Sequence, residues 1–252
     1  MAQLYEQLAG AKDLSFWEDF FVKFYQAFFY ADRWQQYVEG LGRTIMVTVL
    51  ALIIGVLLGV VVAVLRTAHD QQRLNQRNPL LGIVNALCKV YTTVIRGTPM
   101  MVQLLIMGFV VLTSRGLERW VVGAITLGIN SGAYVAEIVR GGLMSLDPGQ
   151  MEAGRSLGLG YVDTMRFIVI PQAFKAILPA LGNEFIILLK DTSLISVIGG
   201  KEIVYAAQAI YAKTYAPMYP LFITAAMYLI MVLLFTWLQG KLERRLRQSD
   251  RR

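Results

Sequence analysis

Charge is what this sequence has least of. Only 16% of its 252 residues are charged, against about a quarter in soluble domains. The mean hydropathy of +0.52 agrees, and the pair excludes a water-soluble enzyme and a disordered binder. A single Cys and a single His leave no disulfide framework and no Cys/His metal cluster. The chain has no phosphate-cradling G-x-x-x-x-G-K-S/T loop. Gly199-Gly200-Lys201 lacks the upstream Gly and the following Ser/Thr, and reads as a turn. No nucleophile stands with a base, so no catalytic residue, resident cofactor or metal is expected. His69 reads as a solvated loop residue and Cys88 as packing. No basic patch precedes an apolar core at the N-terminus, so no cleavable signal is expected. Energy for any driven process must come from another chain.

Long uncharged runs are what the sequence has instead. A bilayer core takes roughly 20 helical residues. Ile45 to Leu65 is 21 residues without a charge, and Thr214 to Gly240 is 27 more. Trp120 to Ala136 is a shorter run, closed by Glu137 and Arg140. Leu80 to Ile95 and Pro99 to Ser114 together make one span, broken around Arg96-Gly97-Thr98-Pro99. Phe167 to Leu189 reaches spanning length while carrying Lys175 and Glu184. The expected fold is an all-α integral membrane protein with five transmembrane helices.

The formal charge of +7 could suggest nucleic acid, but its distribution points to a lipid bilayer, and no nucleic-acid partner is expected. The loop after the first span holds Arg66, Arg73 and Arg77; the loop between the third and fourth spans holds Arg140, Arg155 and Arg166. The end of the chain holds Lys241, Arg244, Arg245, Arg247, Arg251 and Arg252. With five spans these three regions share one side, and the Lys/Arg bias makes it cytoplasmic. The first 40 residues carry Lys12, Lys23 and Arg33 against six acidic groups, a net of −3. The expected orientation is N-out, C-in.

Residues 14 to 37 are aromatic: Phe16, Phe20, Phe24 and Phe28 recur every four residues, beside Trp17, Phe21, Tyr25 and Trp34. Charges interrupt them too often for a span, so an amphipathic helix in the outer interface is expected. The division is then residues 1–38 as an interfacial extension, 39–240 as the transmembrane domain, and 241–252 as a basic cytoplasmic tail. Gly55 with Gly59, and Gly128 with Gly132, have the spacing that permits close helix approach.

Ionisable groups inside spans are costly and mark functional candidates. In the third span Asn130, Tyr134, Glu137 and Gly141 share a face; in the fourth, Glu184 and Asp191 do, with Asn183 and Lys190 beside it. Such stripes offer an acceptor for an ammonium and donors for a carboxylate. The same charges, Glu137 with Arg140 and Lys190 with Asp191, also read as ion pairs that fix helix register.

The cytoplasmic loop at about 145–166 carries the most specific pattern. Asp147-Pro148 begins a short helix, with Asp147 as N-cap and Pro148 at its first position, and Gly158 ends it. Glu152-Ala153-Gly154, three residues, Gly158, nine residues, then Ile168-Val169-Ile170-Pro171 resembles the EAA loop of ABC importer permeases. Gly154 replaces the second Ala and Ile170 the Leu. Arg96-Gly97-Thr98-Pro99 followed by Gln103, the segment Gly132 to Gly142, and Lys190 to Leu194 are similar to the polar amino acid branch of that family, the His/Gln/Glu/Arg type. The resemblance covers about residues 40 to 240.

It implies a permease of the bacterial inner membrane that carries a polar amino acid by alternating access. It further implies a second permease subunit, identical or homologous, two ATP-binding ABC subunits that bind ATP and Mg, and an extracytoplasmic solute-binding protein. The Glu152–Gly158 helix, with Ile168 and Pro171 behind it, would dock on the ATPase. Asn130, Tyr134, Glu137, Asn183, Glu184, Asp191 and Gln103 would line the substrate path, with Glu184 foremost. The rival reading is an ion-gradient-driven transporter or channel built around the broken second span.

Overall fold

The structure, a computed structural model, describes residues 2–8, 11, 13–72, 78–114 and 116–249. Lys12, Arg73, Arg77, Arg251 and Arg252 of the charge argument lie outside the described residues, as does the side chain of Arg247. Among the described residues there are helices and no strands. They are α1 (Ala2–Leu8), α2 (Phe16–Phe28), α3 (Arg33–Asp70), α4 (Pro79–Gly97), α5 (Met100–Ile106), α6 (Arg119–Met144), α7 (Gly149–Ser156), α8 (Tyr161–Thr164), α9 (Ile170–Asp191), α10 (Ile203–Thr214) and α11 (Met218–Ser249). Five stretches are long and apolar enough to cross a membrane: Tyr30–Asp70, Pro79–Gly97, Arg119–Met144, Tyr161–Ile198 and Met218–Leu246.

α3 and α6 form the spine. A Cβ on Gly55 would meet the Ser131 side chain at 2.8 Å, one on Gly59 would meet Val135 at 2.6 Å, and one on Gly128 would meet Ile54 at 2.6 Å. Both glycine pairs therefore serve the same seam, where backbones approach closely because no side chain intervenes. Around it sit Val47, Ala51, Leu104, Val122, Leu127, Leu188 and Ile195, all buried.

Proline sets the breaks. Asn78 caps α4, its side-chain oxygen accepting the Leu80 N–H at 2.9 Å with Pro79 in the first turn. Thr98 is extended (φ −116°, ψ 143°), as expected of a residue before proline, so the second span stops at Gly97 and resumes at Met100. Ahead of Pro171 a π turn spans Met165–Val169, since proline offers no N–H to continue the α ladder.

Four expectations are corrected. The fifth span begins at Met218 and not Thr214, which closes α10; Tyr215 then turns the chain at φ 53°. Arg66 is no loop residue: it belongs to α3, is buried, and pairs with Glu137. Glu137 also bonds Arg140 at 3.2 Å, so α6 runs to Met144 past charges that closed the expected span. His69 is not solvated: it lies in α3, half-buried, with Nδ1 3.1 Å from the Asn85 side-chain nitrogen. Cys88 is buried and unpaired.

The two ends of the bundle differ. At one, the Tyr161 hydroxyl donates to Gln71, and Leu146, Gln172, Glu243 and Leu246 line one cleft of about 530 Å³. At the other, Gly40 abuts the backbone of Ile203, and Phe20 of α2 touches Tyr219 of α11, centroids 5.6 Å apart. Glu202, 1% exposed, caps α10: its carboxylate accepts from Val204 N–H at 2.7 Å, Tyr205 N–H at 2.8 Å and the Tyr228 hydroxyl at 2.9 Å. Burial pushes its pKa up to about 7, against the pull of those bonds. No sequence pattern singled it out, because Glu is an unusual N-cap.

Candidate functional site

The helix break positions a cavity. Thr98, Met100, Asn130, Tyr134, Glu184, Ile187, Leu188 and Asp191 line about 190 Å³ between the α4–α5 junction, α6 and α9. Glu184 is 5% exposed, and the Ser131 hydroxyl donates to its Oε1 at 2.7 Å. Asp191 lies two turns along the same helix face. The Arg96 guanidinium sits over the Tyr134 ring, 5.3 Å from its centroid. The lining offers two carboxylates for a cation, an amide, a hydroxyl and a guanidinium close by for an anion, and apolar walls between.

Of the residues expected on the path, Asn130, Tyr134, Glu184 and Asp191 meet here. Gln103 stands behind the lining. Its Nε2 donates to the Ile95 carbonyl at 2.8 Å, the Thr98 carbonyl at 3.1 Å and the Thr98 hydroxyl at 2.7 Å, and its Oε1 accepts from Asn130 at 3.1 Å. With its amide so engaged, Gln103 splints the break and holds two lining residues. Glu137 does not line the cavity, being held by Arg66 and Arg140. Asn183 is exposed and lies off it. Sequence reasoning missed Ser131, whose only signal is its place one residue before Gly132, and Thr98, which it treated as part of the break.

The second constellation is α7. The Asp147 carboxylate accepts the Gly149 N–H at 2.8 Å, and Pro148 has helical angles. Gly158 has φ +81°; its N–H bonds the Arg155 carbonyl at 3.0 Å, and the Leu159 N–H bonds that of Gly154 at 3.1 Å. This is a Schellman turn, which closes a helix on a residue in the left-handed region. Gln172 donates to Gln150 at 3.0 Å and ties α7 to α9. Glu152, Ala153 and Arg155 are exposed, and Leu157 is 79% exposed. Ile168 is half-buried and Pro171 exposed in the following segment.

Gly154 explains one departure from the EAA pattern. A Cβ there would meet Thr164 Cγ2 at 2.5 Å and its hydroxyl at 2.8 Å, and that hydroxyl is committed to the Gly160 carbonyl at 2.9 Å. Gly154→Ala gains about 1 kcal/mol of helix propensity but incurs overpacking of about 1–3 kcal/mol. A lowered melting temperature is expected, restored when Thr164→Ala is added. Equal stability of the single variant would refute the packing account.

The model of a family described as binding-protein-dependent transport system inner membrane component matches residues 79–248. This chain belongs to that family. It is a multi-pass inner-membrane permease. The arginine transport system permease protein ArtQ of Bacillus subtilis (strain 168) is 37% identical over 185 residues, 68% of this chain and 84% of that protein. The glutamine transport system permease protein GlnP of Escherichia coli (strain K12) is 35% identical over 213 residues, 83% and 92% of the two chains. A crystal structure of an amino acid ABC transporter with histidines aligns at a TM-score of 0.74 and 40% identity, covering 84% of this chain and 94% of that one. An inward-facing MetNI methionine ABC transporter shares the fold at a TM-score of 0.68 and 19% identity, covering 84% and 96%. The resemblance to permeases of amino acid ABC importers therefore holds, and the permease fold is a transport subunit's.

Proposed function

We propose that this permease carries a polar amino acid inward by alternating access, as one half of a membrane pair driven by two separate ATPase subunits. The observation that carries the reading is the cavity at the α4–α5 break with the buried, singly bonded Glu184 in its wall. A zwitterion needs an acceptor for its ammonium, which Glu184 supplies, and donors for its carboxylate, which Asn130, the Tyr134 hydroxyl and Arg96 offer. Burying such a charge is costly unless a partner arrives.

Orientation is part of the proposal: N-terminus outside, with α7 and the basic end of α11 in the cytoplasm, on the Lys/Arg bias. There α7 is the coupling helix. Its small, exposed Ala153 face and Leu157 fit a groove on an ATPase, which supplies the ATP and Mg site this chain does not need. Closure of the ATPases moves the α7 of both permease copies and shifts the pathway between states that differ in their contacts. An extracytoplasmic solute-binding protein delivers the substrate to the opposite end. The gradient-driven alternative gains no support from the relatives.

The test is reconstitution of the permease with its ATPase and binding protein in liposomes, across a panel of polar amino acids. ATP hydrolysis stimulated by a subset of the panel, with uptake of the same compounds, is expected. Uptake that follows an imposed ion gradient without ATP would overturn the proposal.

A further inference from the structure

The N-terminal extension takes no part in the translocation reading, yet it is built onto the bundle at defined points. Phe20 packs on Tyr219 at the head of α11, centroids 5.6 Å apart, and Phe28 stacks on Tyr37 of α3 at 5.8 Å. Eight residues separate Phe20 from Phe28, about 12 Å of helix, so α2 crosses the ends of two spans and lies across their axes. Its corner with α3 is held by Ala31 and Asp32 at φ 53° and 55°. Such strained angles persist only where the surroundings enforce them. The buried Arg33 donates to the Gln26 carbonyl and covers the Tyr30 ring at 5.3 Å. Tyr5 of α1 stacks on Tyr25 at 4.8 Å.

Projected down its axis, α2 divides in two. Phe16, Trp17, Phe20, Phe21, Phe24, Tyr25 and Phe28 fill one half; Glu18, Asp19, Lys23 and Gln26 fall in the other. The aromatic half is not all consumed by the bundle: Phe16 is 76% and Trp17 74% exposed, and Phe20, Phe29 and Tyr30 are exposed beside them. The two spans that α2 touches expose apolar side chains likewise: Trp34, Val38, Met46, Ile53 and Leu57 on α3, and Phe222 and Leu229 on α11. The aromatic half of α2 sits at the span ends, the level where Trp and Tyr concentrate in membrane proteins.

We infer that α2 is an aromatic collar seated in the lipid headgroup interface, whose partner is the bilayer and not a protein. The leaflet, the outer one, follows from the orientation proposed above; the seat in the interface does not depend on it. Rings with an apolar body and a polar edge gain from this zone, and an apolar face there sinks about 5–10 Å toward the acyl boundary.

Trp17 reports directly. In proteoliposomes of the assembled transporter, with Trp34, Trp120 and Trp237 replaced by Phe, Trp17 emission should be blue-shifted and lose most of its intensity to lipids brominated near the headgroup. Deep-brominated lipids should quench it less and aqueous iodide little. Full quenching by iodide, or iodide quenching relieved only when the solute-binding protein is added, would overturn the inference, the second in favour of a docking face. Should the triple replacement not assemble, a spin label at Trp17→Cys in a Cys88→Ala chain gives the same reading. Greater access to oxygen than to an aqueous nickel complex is expected, and the reverse refutes the collar.

Discussion

Glu184→Gln is expected to abolish substrate-stimulated ATP hydrolysis and uptake while leaving assembly with the ATPase subunits intact. Glutamine keeps an oxygen for the Ser131 hydroxyl, now 2.7 Å from Oε1, so the wall of the cavity is preserved and only the charge is removed. Deleting one partner of a buried charge pair costs about 3–5 kcal/mol. At 1.4 kcal/mol per decade that is a loss of roughly a hundred- to several thousandfold in affinity. The measurement is substrate dependence of ATPase activity in liposomes, with co-purification as the control. Uptake kinetics that match the parent chain would remove Glu184 from the site and leave it a register-fixing residue. The comparison with Asp191→Asn locates the ammonium: the larger loss marks the carboxylate that holds it.

Gly158→Val is expected to uncouple ATP hydrolysis from transport. Gly158 sits at φ +81° in the turn that closes α7, a conformation that costs a β-branched residue on the order of 1–3 kcal/mol. The Schellman bonds from Gly158 and Leu159 would be lost or strained, and the exposed end of α7, with Leu157, would shift. Nothing lies within 4 Å of a Cβ at this position, so the effect comes from backbone angle and not from a clash. Gly158→Ala should therefore show the same defect in weaker form. Hydrolysis by the assembled complex should persist while substrate moved per ATP falls. Transport at the parent rate would show that α7 does not carry the coupling proposed for it.

Local rules made much of this protein legible in its sequence. Spans follow from runs of uncharged residues, the break in the second from Gly97-Thr98-Pro99, and the ends of α7 from Asp147-Pro148 and Gly158. Each of these depends on a few neighbouring residues and on a backbone that must satisfy its own hydrogen bonds inside lipid. The family was readable for the same reason, since its motifs are short local segments in a fixed order.

Partnerships across the bundle were decided elsewhere. Arg66 looked like a loop cation, yet it reaches Glu137, 71 positions away, and lets α6 extend past its charges. Gln103 and Asn130 looked equivalent as path residues, but Gln103 spends its amide on the broken helix while Asn130 lines the cavity. Ser131 had no more signal than its place before Gly132 until α9 brought Glu184 against it. Periodicity names the face on which a side chain lies and says nothing of what stands opposite. That is settled where Gly55, Gly59 and Gly128 let α3 and α6 close to contact, because the depth of their approach determines which polar groups can reach one another.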